Sequence, residues 1–138
     1  MKNITCLSAL LLFVTISAAP MRANDAEMQL TNHQLELIEK NILHNLEDSC
    51  SAIVVGTMQT LIELKTAYPK YDYDYSIIPL LAKLKDGKCE GIRIMAALTL
   101  YQLNSARGRF AVAQKAKFDA SERVAKHCAA IAREWQNF

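Results

Sequence analysis

Cys50, Cys89 and Cys128 stand at intervals of 39 residues. Thiols can bridge, bind zinc or act as nucleophiles, and each use demands a particular neighbour. A zinc or thioredoxin-like site calls for a Cys-x-x-Cys pair, and the chain has none. A disulfide needs Cα atoms roughly 4.4–6.8 Å apart, whereas packed helices lie roughly 8–10 Å apart. A Cys50–Cys89 bridge therefore requires the loop ends to converge. Cys128 is expected to be a small buried apolar residue, and an odd number leaves at least one thiol unbridged within the chain. His33 and His44 are eleven residues apart, about 16 Å along a helix and too far for one metal ion. His127 precedes Cys128, but adjacent helical residues diverge by about 100°, so they do not form a nucleophile–base pair. Gly-rich phosphate loops, Gly-x-Ser-x-Gly and His-Glu-x-x-His are all missing from the sequence. No catalytic, cofactor-binding or metal-ligating residue is assigned.

The segment YPKYDYDYS, residues 68–76, holds Tyr68, Tyr71, Tyr73 and Tyr75, with Asp72 and Asp74 between them. Two carboxylates fall short of the six or more oxygens of a Ca²⁺ site. Two uses remain. Tyrosines give large amphipathic contact area at low entropic cost, so the stretch can be a recognition loop carrying Tyr71 and Tyr73. Alternatively it is a linker whose rings fold back onto the helices.

The elements that position these residues are helical. Leu35, Ile38, Ile42 and Leu46 recur at helical spacing, as do Ile92, Met95, Ala96, Leu100 and Leu103. Breaks at Glu47-Asp48-Ser49, Tyr68-Pro69, Asp86-Gly87, Asn104-Ser105 and Asp119-Ala120-Ser121 are turn and N-cap residues. Six helices are predicted, over 31–46, 50–67, 76–85, 89–103, 106–117 and 121–136. The fourth is apolar on most faces and must be buried on several sides. Pro79 is expected in the first turn of the third, where no N–H is needed.

The chain has 138 residues and a formal net charge of +2. Its apolar content excludes a disordered tail, and its charge balance excludes a generally basic nucleic-acid binder. The N-terminal Met-Lys-Asn and the uncharged run ITCLSALLLFVTISAA predict a signal peptide over residues 1–23. Cleavage falls after Ala18 or Ala23, with Ala23 favoured. Cys6 precedes most of the run, so lipidation is rejected, and no later apolar stretch spans a bilayer. The expectation is export to the periplasm or the extracellular space, as one domain over 24–138. Residues 24–75 carry three basic and nine acidic side chains, and residues 76–138 carry eleven and five. The exported chain is neutral but polarised.

The second, fourth and sixth helices align. A shift of 39 puts Ile53 on Ile92, Leu61 on Leu100 and Leu64 on Leu103, and a shift of 32 puts Ile92 on Val124 and Ala96 on Cys128. Asp48, Asp86 and Asp119 open the three blocks. Residues 77–103, IIPLLAKLKDGKCEGIRIMAALTLYQL, resemble a HEAT repeat, with Pro79, Asp86, Ile92-Arg93, Ala96-Ala97 and Leu100 in register. The outer units are degenerate, as terminal repeats are. Asp86 lies six residues before Ile92, whereas Asp48 and Asp119 lie five before Ile53 and Val124. The resemblance implies an all-α fold, a short α-solenoid of about three HEAT-like hairpins. It also implies a structural role for Arg93 and Asp86: the arginine pairs with a turn aspartate of its own or a neighbouring repeat.

The function expected is a non-catalytic interaction or scaffold module. Along the second helices, Val55, Gln59 and Ile62, then Ile94, Leu98 and Tyr101, then Lys126, Ala130 and Arg133 form corresponding rows. Tyr101, Lys126 and Arg133 are the candidate contacts there. Arg107, Arg109, Lys115 and Lys117 add positive charge, so the partner expected is a protein, one with acidic character fitting best, and not nucleic acid. HEAT-like repeats also occur in bilin-lyase relatives, which implies an enzyme accessory as one alternative. Self-association of acidic and basic ends is the other.

Overall fold

Where Thr, Asp, Ser and Gly interrupt the apolar periodicity, the chain turns. The computed structural model describes residues 30–136, so the predicted signal peptide lies outside the described residues. Six helices are present: α1 (Asn32–Leu46), α2 (Ser51–Ala67), α3 (Asp74–Asp86), α4 (Glu90–Gln102), α5 (Ala106–Phe118) and α6 (Glu122–Glu134). Thr31 opens α1 with a capping box: its hydroxyl accepts from Gln34 N, and Gln34 Oε1 accepts from Thr31 N at 2.9 Å. Ser105 and Ser121 cap α5 and α6 by accepting from Gly108 N and Val124 N.

The aspartates at the turns act one step earlier. Asp48 Oδ1 accepts from Cys50 N at 2.7 Å and Asp119 Oδ1 from Ser121 N at 2.9 Å, each two residues before the helix cap. The middle turn has one extra residue, which moves Asp86 out of that position and puts Gly87 there. Asp86 is exposed at the end of α3. Arg93 substitutes by donating from Nη1 to Gly87 O at 3.0 Å.

The helices pair as hairpins α1–α2, α3–α4 and α5–α6. They stack in two layers, α1, α3 and α5 in one and α2, α4 and α6 in the other. The fold is thus an all-α short solenoid of three hairpins. α4 touches α2, α3, α5 and α6, which is why Ile92, Ile94, Ala96, Ala97, Thr99 and Leu100 are all buried. The small pair Ala96-Ala97 lets neighbouring helices approach, and Leu46, Met58, Leu61, Leu80, Leu84, Val112 and Val124 fill the remaining core. Cys128 is buried among them, and Cys50 and Cys89 are exposed free thiols.

Two sequence expectations need correcting. α3 starts at Asp74, two residues before the predicted start, so Pro79 is its sixth residue and lies inside the helix. The helix thereby loses the bond to Tyr75 O, on a side where Tyr75 is exposed and water can serve that carbonyl. The earlier start is made possible by Glu39 of α1. This fully buried carboxylate accepts from Ser76 N at 3.0 Å and from Ser76 Oγ at 2.9 Å. It takes the place of a side-chain cap, which Tyr73 does not supply, and the positive end of the α3 dipole favours its charge.

After α4, Asn104 adopts φ 52°. Its N–H donates to Tyr101 O and the Ser105 N–H to Leu100 O, the paired bonds of a left-handed helix stop. Asn104 Oδ1 then accepts from Trp135 Nε1 at 3.3 Å, which ties the end of α4 to the end of α6.

Candidate interaction surface

The structure brings Tyr71 and Tyr73 inward. Tyr73 is 4% exposed and belongs to the core, and Tyr71 stacks edge-on against it at 4.8 Å. Tyr71 donates its hydroxyl to Glu39 Oε2 at 3.2 Å. Burial, with the nearby Glu39 charge, pushes both phenols up to about 12. Lys65 Nζ pins the segment by donating to Pro69 O and Tyr71 O. The stretch therefore folds back as a linker, because its rings gain more from burial than from water. Tyr75 alone stays well exposed.

Arg93 and Asp119 join consecutive hairpins. Arg93 Nη2 lies 3.4 Å from Asp119 Oδ1, and Lys115 Nζ lies 3.0 Å from Asp119 Oδ2. The partner of Arg93 is thus the turn aspartate of the next hairpin and not Asp86. Burial raises the Asp119 carboxyl, but the Ser121 N–H, Lys115 and Arg93 outweigh it and hold its pKa below the usual range.

On the second-helix layer, Tyr101 is half-buried and packs edge-on against Trp135 at 5.1 Å, with Arg109 over the indole. Lys126 is exposed and paired with Glu122 at 2.8 Å, and Arg133 is exposed. Ile94 is buried, so this row is not a continuous contact surface.

Ile53 on α2 and Leu98 on α4 are also exposed, but more of the large exposed apolar residues lie on the first-helix layer. Leu37, Tyr75, Ile78, Phe110 and Phe118 are large apolar residues left exposed on α1, α3 and α5. Between α3 and α5 runs an open groove of about 410 Å³, lined by Leu81, Leu84, Ala111, Phe110 and Phe118, with Lys85 and Lys115 at one end. Phe110 is 69% exposed and Phe118 75% exposed. Eight residues separate them, so they stand within about 80° of one another on α5, while the core residue Val112 is about 200° from Phe110. Sequence reasoning took α5 as a basic helix and missed these rings. The signal available was two phenylalanines off the face that carries Val112.

The chain matches no protein-family model, no curated protein and no solved structure. Among the described residues, no three His, Cys, Asp or Glu side chains gather as metal ligands. No helix among them is long and apolar enough to cross a membrane. The surface has to be understood from its own residues, and what the groove can do is take apolar side chains beside positive charge.

Proposed function

We propose that this chain is an exported, non-catalytic interaction module, a short HEAT-like solenoid that holds a protein partner against its first-helix layer. The observation that carries the reading is the α3–α5 groove with Phe110 and Phe118 standing open beside it. Burying two such rings on a partner is worth about 1.5–3 kcal/mol each, and leaving them in water serves no packing purpose. Export is inferred from the charged start and apolar run of residues 1–23.

A photo-reactive benzoylphenylalanine at position 110 or 118 tests this in cells of the source organism. A discrete cross-linked protein is expected from those positions and not from position 126 on α6. Equal labelling from all three positions, or from none, would remove the interaction reading. Self-association is a second reading, carried by the acidic first half and basic second half. It predicts a mass in sedimentation that falls as salt rises.

A further inference from the structure

From the shape and charge of the groove, we infer that its occupant is an acidic amphipathic helix, docked along α3 and α5 with apolar anchors between Leu81 and the two phenylalanines. This rests on the interaction reading above and names the partner's chemistry.

Three observations converge. The groove is lined mainly by apolar side chains, with Leu81 and Leu84 from α3 and Ala111 from α5, and Gln114 is the uncharged polar residue between its two rings. Its two rings are eight residues apart on α5, about 12 Å along the axis. That distance is close to the spacing of anchors two turns apart on a docked helix, such as i and i+7, at about 1.5 Å per residue. Finally, its C-terminal end is positive. Lys85 and Lys117 are exposed and make no ion pair among the described residues. Lys115, itself paired with Asp119, reaches across from α5 to donate to the backbone carbonyl of Lys85 at 3.1 Å, which ties the C-terminal ends of α3 and α5 together.

The helix dipoles account for lysines in the last turns of α3 and α5. They do not account for the excess of base there, where one exposed carboxylate, Asp86, is set against the four lysines Lys83, Lys85, Lys115 and Lys117. α5 itself carries no acidic residue, and the nearby Asp119 is already held by Arg93 and Lys115. A ligand with glutamates or aspartates over Lys85 and Lys117 completes the set, and its approach is steered by that field. A second copy of this chain fits less well. Beside Leu37, the apolar residue open on α1, the acid Glu36 is already paired with Lys40 at 2.9 Å and is not free to meet Lys85 and Lys117. A flat anionic membrane fits a recessed groove less well than a helix does.

The probe is a synthetic helical peptide with Leu at i, i+4 and i+7 and glutamates on its other faces, fluorescently labelled. A twin carries lysines in place of the glutamates. The purified protein should bind the glutamate peptide at least about tenfold more tightly than the lysine peptide. Phe118→Ser and Phe110→Ser should each weaken the glutamate peptide by about tenfold. Lys85→Glu with Lys117→Glu should weaken it further and strengthen the lysine twin. All four positions are exposed, so the folded core should be intact in each variant. The Lys85→Glu with Lys117→Glu pair should lower the thermal midpoint slightly, because it places acids at two helix C-termini. The comparison of two peptides on the unmutated protein does not depend on any variant.

Equal binding of both peptides, or binding of neither, overturns the inference. So does binding to phosphatidylglycerol vesicles that Phe118→Ser abolishes while the peptide fails to bind. Dimerisation that blocks the peptide and disappears in Phe118→Ser overturns it in favour of a second copy. Cross-links from position 118 without peptide binding would leave the interaction module standing and remove the acidic helix. Failure of both experiments would remove both.

Discussion

The carboxylate of Glu39, on α1, caps the backbone of Ser76, the third residue of α3, at 3.0 Å. A side chain from the first hairpin thereby starts the first helix of the second. The same carboxylate accepts the Ser76 and Tyr71 hydroxyls, so one buried acid gathers the linker and the helix end. The Tyr73 hydroxyl beside this cluster is buried with no partner among the described residues.

Removing that acid should be costly. Glu39→Ala removes the acceptor of the Ser76 and Tyr71 hydroxyls and leaves Ser76 N with only Tyr73 O at 3.2 Å, and a loss of about 2–4 kcal/mol is expected. Glu39→Gln keeps an acceptor for Ser76 N and should lose about 0.5–1.5 kcal/mol. Urea unfolding measures both, and equal losses would mean that capping is not what Glu39 contributes.

Asp119 predicts an acid-dependent component of stability. Its carboxyl is held below the unfolded value of 3.8. The stabilisation is therefore complete above that value and is lost as pH falls through the lower folded value. The gap between the unmutated protein and Asp119→Asn should stay constant at neutral pH and close below about pH 4. Urea midpoints across that range give the answer, and a gap that does not change with pH would rule out the charged pairing as its source.

The glycines separate sterics from helix propensity. A Cβ on Gly87 would meet Lys83 O at 2.5 Å and Ile92 Cγ2 at 2.8 Å. Gly87→Ala should cost about 1–3 kcal/mol by overpacking. Gly56, inside α2, has nothing within 4 Å of that position. Gly56→Ala should stabilise by about 0.5–1 kcal/mol through lower chain entropy. Thermal or urea unfolding of the two variants should move in opposite directions.

Thiol chemistry distinguishes the cysteines. Burial, with the Asp119 charge, pushes the Cys128 thiol up to about 11, whereas Cys50 and Cys89 are exposed. In a chain expressed without residues 1–23 and kept reduced, Ellman's reagent should modify two thiols quickly and the third only after unfolding. Three fast thiols would mean that α6 is not seated on α4.

The helices were legible in the sequence because their evidence is local. Apolar residues at helical spacing and turn residues at the breaks give α1, α2, α4, α5 and α6 to within two residues at each end. The burial of Cys128 and of the Ala96-Ala97 pair follows from the same alignment. The start of α3 falls within the same two residues, but the Glu39 carboxylate that caps it was not legible, because it lies 37 residues away on another helix. The choice between a recognition loop and a folded-back linker for Tyr73 likewise stayed open, since its core place depends on how α1 and α3 lie together.

Sequence by itself determined six helices, their pairing as hairpins and an acidic first half followed by a basic second half. Periodicity and charge are properties of neighbouring residues, and they survive without knowledge of the fold. Only the tertiary structure decided which aspartate Arg93 meets, which tyrosines are core and which face stays apolar in water. Those outcomes depend on side chains from separate hairpins competing for the same space and the same hydrogen bonds. The exposure of Phe110 and Phe118 is such an outcome: both stand on α5 off the face that carries Val112, over the groove it forms with α3, and no other helix among the described residues packs on them.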